Sequence, residues 1–402
     1  LTTEDSQYDA VIIGGGACGL MCAIQAGLRG KLTLVLERND QPGAKIRISG
    51  GGRCNYTNLY TGLENFVSAD PSFAEHALTR WTVNDTLEFF AQQGIIGKEK
   101  TLGQLFPTSN NAKDVVSALT RLMHRYGQRL QTGSKALSVE KQTDRSFVIS
   151  YERMGVVHRV VTPKVVLASG GLPVAKLGAS DFAIRIARQF GFDIVPTAPA
   201  LVPLTVTGKD ADWFAALSGN SVFCRVSNQR ISFEENILFT HWGLSGPAIL
   251  QISSYWRPGE SIALDLLPTH SLEALIKEER AAGGKRLVGQ LLGDFYPKRL
   301  VEALGRFLPV QTKIASLGKL DAKRIAETIH RFEVKPAGDK GYDKAEVMRG
   351  GIATHELERE TLEAKSVRGL YFGGECVDMT GWLGGYNFQW AWASGYLIAQ
   401  AI

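Results

Sequence analysis

Residues 8–20 read YDAVIIGGGACGL. Ala10–Ile13 is a short apolar run rich in β-branched residues, the pattern of a strand buried in a parallel sheet. Gly14, Gly16 and Gly19 follow in G-x-G-x-x-G spacing. Gly14 permits a tight turn, Gly16 lets backbone N–H groups approach a pyrophosphate, and Gly19 lets the helix opening near Ala17 pack against the strand. The positive end of that helix faces the phosphates. A second strand, LTLVLE, comes after the helical AIQAGLRG and ends at Glu37, 18 residues beyond Gly19. A carboxylate there accepts hydrogen bonds from both ribose hydroxyls of an adenosine half and repels a 2′-phosphate. Strand, turn, helix and acid together predict a dinucleotide-binding unit, without separating NAD from FAD. Cys18 and Cys22 share one helix face and read as small core residues rather than a redox pair.

The rest of the composition bounds the answer. A chain of 402 residues, 44% hydrophobic and 21% charged, has room for two or three domains with a large core. Its 45 Lys+Arg are dispersed among 40 Asp+Glu, for a net charge of +5, which argues against a nucleic-acid partner. The opening LTTEDSQ lacks a signal-peptide pattern, and no window reaches 18 apolar residues, so no membrane association is expected. Five scattered cysteines point to a reducing, cytoplasmic setting. Seven histidines without ligand spacing give no case for a metal.

Further along, KVVLASGG (164–171) is another buried strand, ending in Ser169 and Gly170. Near the C-terminus LYFGGE (370–375) reads as a strand, followed by a loop with Asp378, a Gly-Gly at 384–385 and an apolar helix from about Asn387. The chain therefore returns to its nucleotide domain at its end. Between roughly 193 and 337 the texture differs. LVPLTVTG, SVFCRVS, QRISFEENILFT and ESIALDLLP alternate like antiparallel strands. From Ser271 the pattern turns helical, in SLEALIKEER, KRLVEALGRFL and LDAKRIAETIHRF. Asp321 stands where an N-cap is wanted.

Three motifs carry a resemblance to a known family. They are K-x-x-x-S-G-G-G-R-C-N-x-T-N (Lys45–Asn58), F-T-H-x-G-L-S-G-P (Phe239–Pro247) and G-W-L-G-G-Y-N-x-Q-W-A-W (Gly381–Trp392). With them the chain resembles the BaiN/YhiN-type NAD(P)/FAD-dependent oxidoreductases, bacterial three-domain flavoproteins, over essentially its whole length. The resemblance implies an α/β fold of the two-dinucleotide-binding-domain, glutathione-reductase-like type. In it a Rossmann FAD domain (1–192 and 338–402) carries an inserted β-rich, barrel-like domain (193–267) and an inserted helical domain (268–337). Two departures stand on the substrate side: His241-Trp242-Gly243 where the family often has His-Arg-Gly, and Met348-Arg349-Gly350-Gly351-Ile352 where it often has Thr or Ser before Gly-Gly-Val.

The implied cofactor contacts begin at Gly14, Gly16, Ala17 and Gly19, with Glu37 and Arg38 at the adenosine end and Lys45 adding charge near the phosphates. Ser49, Gly50, Gly51, Gly52, Arg53, Cys54 and Asn55 would run beside the pyrophosphate and flavin, the glycines admitting main-chain amides without Cβ clashes. Asn55, Thr57 and Asn58 are short polar groups suited to fixing that loop through local backbone bonds. Ala136, Ser169, Gly170, Gly374, Glu375 and Asp378 complete the set, with Gly385, Tyr386, Asn387 and Phe388, where a helix N-terminus would stabilise charge on the reduced flavin. Cys54 lacks the nearby partner of a catalytic disulfide. Trp382, Trp390 and Trp392 read as packing. His241 and Asn387 are the candidate catalytic residues.

The expected activity is hydride transfer through flavin N5, with NAD(P)H as a transient electron donor and a small organic substrate such as an enone. A single dinucleotide fingerprint means no dedicated NAD(P)H domain. Amine oxidation with O2, RNA modification and a non-catalytic flavin redox sensor are the alternatives.

Overall fold

A computed structural model describes Thr2–Glu4 as a strand and residues 8–402 throughout. The chain divides into two compact units, Leu1–Ala198 with Val347–Ile402, and Pro199–Glu346.

The first unit is built on a five-stranded parallel sheet. Its order is Leu370–Phe372, Val165–Leu167, Ala10–Ile13, Thr33–Leu36, Arg129–Gln131. All residues of the four strands other than Arg129–Gln131 are buried, as their unbroken apolar runs require. The direction of winding reverses between Ala10–Ile13 and Val165–Leu167, and the crevice beyond the carboxyl ends of strands at such a point is where α/β sheets bind ligands. An antiparallel sheet of Ser134–Lys141, Phe147–Arg153 and Val156–Thr162 accompanies it, with Thr2–Glu4 parallel to the last strand.

Helix Ala17–Leu28 packs on this sheet and against the C-terminal helix Tyr386–Ala401. Their approach depends on small residues. A Cβ on Gly395 would lie 2.4 Å from the carbonyl oxygen of Cys18, and one on Gly373 would lie 2.7 Å from the Cys18 sulfur. Cys18 and Cys22 are fully packed in this contact, as their small size suggested. Leu20, Met21, Trp390 and Trp392 are buried alongside, each contributing about 1.5–3 kcal/mol of hydrophobic stabilisation.

The second unit holds a seven-stranded antiparallel sheet. The order is Phe332–Val334, Ile262–Asp265, Ser221–Ser227, Ser232–Thr240, Gly243–Ser245, Leu204–Thr205, Gly338–Asp339. Helices Leu272–Ala281, Val288–Leu292, Lys298–Leu304 and Lys319–His330 lie between two of its strands in sequence. His330 ties the helices to the sheet: Nδ1 is 2.9 Å from Asp265 Oδ1, and Nε2 accepts the Leu272 N–H. Asp321 is not the N-cap. Gly318 occupies that position, and Asp321 reaches back from the first turn to accept the Gly318 N–H at 3.3 Å. A glycine cap leaves no side chain to read, so the acid three residues on carries the signal.

Candidate active site

The glycine turn separates two physical tasks. Gly14 has φ of 115°, and a Cβ there would stand 2.3 Å from the carbonyl oxygen of Ala168 at the end of Val165–Leu167. A Cβ on Gly19 would lie 1.9 Å from the Gly14 carbonyl oxygen. Both glycines let backbone touch backbone. Gly16 differs, because no atom lies within 4 Å of the Cβ it lacks. It precedes Ala17–Leu28, whose N-terminus has no side-chain cap and no acid in its first turn. The first-turn amides of that helix thus have no side-chain acceptor, and open space lies beside Gly16.

Glu37 is buried at the end of Thr33–Leu36. Its Oε2 accepts the Gly15 N–H at 2.7 Å and its Oε1 accepts the Asn39 N–H at 2.8 Å. Burial pushes its carboxyl up, and the two amides pull it back. The acid therefore holds the glycine turn. Arg38 is exposed and donates to the Gly178 carbonyl at 3.2 Å. Ser169 Oγ is buried with no partner, and Gly170 follows it with φ of 75°. Ala136 sits half-buried opposite Tyr151 in the antiparallel sheet.

Ala44–Gly52 opens as a helix rather than the loop its glycines imply, and it unwinds at Ser49 (φ −61°, ψ 146°). Gly50, Gly51 and Gly52 then adopt φ of 56°, 70° and 83°, and Cys54 63°. A Cβ on Gly50 would meet the Phe106 ring at 2.6 Å, whereas Gly51 and Gly52 have nothing closer than 3.8 Å. Arg53 donates to the Gly50 carbonyl and lies over the Phe106 ring. The Cys54 thiol is fully buried, and burial pushes it up to about 12, so it is no thiolate at neutral pH.

The polar residues after Cys54 are fixed less by local bonds than by the far end of the chain. Thr57 Oγ1 donates to Gln389 Oε1 at 2.7 Å, Trp392 Nε1 donates to the Tyr56 carbonyl at 2.8 Å, and Asn58 Nδ2 donates to the Gly384 carbonyl at 2.8 Å. Gln389 also accepts from Thr86 and donates to the Trp81 carbonyl. Sequence reasoning missed Gln389; its only signal was membership of the Gly381–Trp392 motif. Asn55 Oδ1 is buried with no partner.

The remaining candidates have structural partners. Lys45 Nζ lies 2.5 Å from Glu375 Oε2, and Glu375 Oε1 accepts the Met348 N–H. Gly374 donates to Ser394 Oγ and accepts from Trp390 Nε1. Asp378, its carboxyl raised by burial, accepts the Ala69 N–H at 2.8 Å. Asn387 clasps its own loop: Oδ1 accepts the Gly381 N–H and Nδ2 donates to the Gly381 carbonyl, both at 2.8 Å. Tyr386–Ala401 starts after Gly385, without a side-chain cap, and Tyr386 and Phe388 lie in its first turn. In the second unit, His241 is exposed and packs on Trp242 at 4.0 Å between ring centroids. The described residues bring three ligand-type side chains together at Asp193, His355 and Glu356, where the histidine pairs with both acids at the surface.

Open space at Gly16, two uncapped helix N-termini and the orphaned oxygens of Asn55 and Ser169 fit a ligand with a pyrophosphate and a polar ring edge. FAD is such a ligand. With the parallel sheet and its switch point, they mark an FAD-dependent oxidoreductase. The chain belongs to the HI0933-like protein Rossmann domain family, whose profile matches residues 8–401. It is 41% identical over 396 residues to a protein of Escherichia coli named ribosomal RNA dihydrouridine synthase, covering 98% of both chains. It is 29% identical to the 3-dehydro-bile acid delta(4,6)-reductase of Clostridium scindens, covering 97% of this chain and 98% of that one. Among solved structures it resembles the 3-ketosteroid-delta4-(5alpha)-dehydrogenase of Rhodococcus jostii RHA1, with a TM-score of 0.50, 14% identity, and 98% and 96% of the two chains covered. That last likeness concerns the fold. The name of the first relative runs against the expectation of no nucleic-acid partner. Among the described residues no helix is long and apolar enough to cross a membrane.

Proposed function

We propose that this enzyme reduces uridine in ribosomal RNA to dihydrouridine, with NAD(P)H as electron source. The observation that carries the reading is the 41% identity, over 98% of both chains, to a protein named for that reaction. The chemistry agrees with the expectation of an enone substrate. The C5=C6 bond of uracil is conjugated to the C4 carbonyl, so it accepts hydride at C6 and a proton at C5, as an enone does at its β and α carbons. The bile-acid reductase acts on a comparable conjugated system by its name.

Bound FAD supplies the hydride. The chain supplies orientation. Gly14 to Ala17 would take the pyrophosphate, Glu37 the adenosine ribose, and Gly51 to Asn55 the flavin side of the cofactor. The N-terminus of Tyr386–Ala401 would place the positive end of its dipole at the pyrimidine edge. Asn387 acts by holding Gly381 and so the start of that helix.

The test uses purified holoenzyme, NADH or NADPH, and deproteinised ribosomal RNA from cells lacking the gene. Nucleoside mass spectrometry should show dihydrouridine rising with time only when enzyme and nicotinamide are both present. No gain on RNA, with turnover of a steroid-type enone, would replace this reading with the small-molecule one.

A further inference from the structure

A hairpin beside the glycine loop has features that its own fold does not require. Gly97–Glu99 pairs with Gln104–Pro107, and the connecting turn closes with the Gln104 N–H donating to the Thr101 carbonyl at 3.0 Å. Its two central residues are Leu102, with φ of 50°, and Gly103, with φ of 73°. Such a turn needs positive φ at both central positions and ordinarily takes Asn-Gly or Gly-Gly. A leucine there is strained, and Leu102 is 54% exposed, so burial gives no compensation. The strained turn thus holds the Leu102 side chain at the surface, where it is available for contact with something else.

The neighbours of Leu102 indicate what that is. Tyr60, 64% exposed, lays its ring against Gly103, where a Cβ would come within 2.7 Å of it. Lys98 and Lys100 are exposed and alternate to one face of the hairpin, and Lys100 shares the Phe106 ring with Arg53. Glu99 alternates to the other face, with its carboxylate tied to the Gly103 N–H. An exposed aromatic and an exposed aliphatic tip flanked by cations match an unstacked, polyanionic strand.

One buried side chain fixes this surface relative to the candidate flavin end. Asn58 Oδ1 accepts the Tyr60 N–H, and Asn58 Nδ2 donates both to the Leu102 carbonyl at 3.0 Å and to the Gly384 carbonyl at 2.8 Å. Gly384 immediately precedes the glycine at which Tyr386–Ala401 begins. We propose that Tyr60 and Leu102, with Lys98, Lys100 and Arg53, form a platform that stacks bases and grips phosphates of single-stranded RNA next to the target nucleotide. The proposal rests on the ribosomal RNA reading of the site, and it names where that substrate is held.

The test compares holoenzyme variants Tyr60→Ala, Leu102→Gly and the double variant Lys98→Gln/Lys100→Gln. Leu102→Gly removes the side chain while relieving the turn, so folding is not at risk. Flavin content and the rate of flavin reduction by nicotinamide should match the wild type in all of them. KM for ribosomal RNA should rise on the order of ten-fold in each single variant, the effect of unseating one stacked base, with kcat little changed. Affinity for a single-stranded dodecauridylate should fall in parallel. The double variant should flatten the slope of log Kd against log salt by about 0.7 for each phosphate that is no longer neutralised. Unchanged KM, with wild-type enzyme making dihydrouridine, overturns the platform and spares the activity. If the wild type makes no dihydrouridine, the activity reading fails, and the dodecauridylate measurements alone decide whether the surface binds RNA.

Discussion

Gly16 and Gly385 each precede a helix of the first unit, and neither helix has a side-chain cap. The missing side chain serves opposite ends. At Gly16 a Cβ would meet nothing within 4 Å, and the backbone (φ −87°, ψ −168°) suits any residue. At Gly385 φ is 106°, and a Cβ would fall 2.4 Å from the Thr57 carbonyl oxygen. The first glycine leaves room for something that is not protein. The second lets the chain close on itself, bringing the loop after Cys54 against the start of the last helix. Glycine in a nucleotide fold therefore marks either a ligand or a close backbone contact, and the neighbours decide which.

The largest effect is expected at Gly385. Gly385→Ala must move Thr57 or the helix, and it imposes a left-handed conformation on a residue with a Cβ. Stability in urea should fall by more than about 2 kcal/mol, and most of the flavin should be lost. An unchanged midpoint would falsify the close approach of the two backbones. Gln389→Leu comes next, because it strips partners from Thr57, Thr86 and the Trp81 carbonyl in a dry interior. A cost of roughly 1–3 kcal/mol is expected from the stranded groups. Flavin should be retained at saturating concentration, since the glycine turn is untouched.

Gly16→Ala sharpens the comparison from the other side. Its unfolding midpoint should stay within about 0.5 kcal/mol of wild type, while FAD affinity, titrated on apoprotein, falls at least ten-fold (about 1.4 kcal/mol). Equal affinity would remove the pyrophosphate from this turn. The smallest effect belongs to the thiols. All five cysteines are buried, so folded protein at pH 8 should yield almost no thiol to an aromatic disulfide reagent, and denatured protein all five. Cys54→Ser should leave flavin reduction unchanged. A large loss there would bring back a thiol mechanism.

What was legible followed from local spacing. Gly14, Gly16, Gly19 and Glu37 lie within one βαβ unit, where chain geometry fixes their relation before any long-range contact forms. The buried strands announced themselves by unbroken apolar runs, and Cys18 and Cys22 by their small size on an apolar helix. Gln389 was not legible, because its partners Thr57, Thr86 and Trp81 lie hundreds of residues earlier. Asn387 read as a residue facing the flavin, but its amide is taken up by Gly381. The reading against a nucleic-acid partner rested on a small net charge and on cations dispersed among acids along the chain, and neither quantity records where a few cations stand together on a folded surface.

By itself the sequence determined that this chain carries a dinucleotide turn, returns to that domain at its C-terminus, and resembles a family of flavin oxidoreductases. Those properties depend on residue type and short spacing. Tertiary structure decided which glycine faces open space and which faces backbone. It also decided that Asn58 joins Tyr60, Leu102 and Gly384, and that Cys54 is sealed from solvent. Such properties arise when segments distant in the chain compete for the same volume and the same hydrogen-bonding groups, and no local pattern records the outcome.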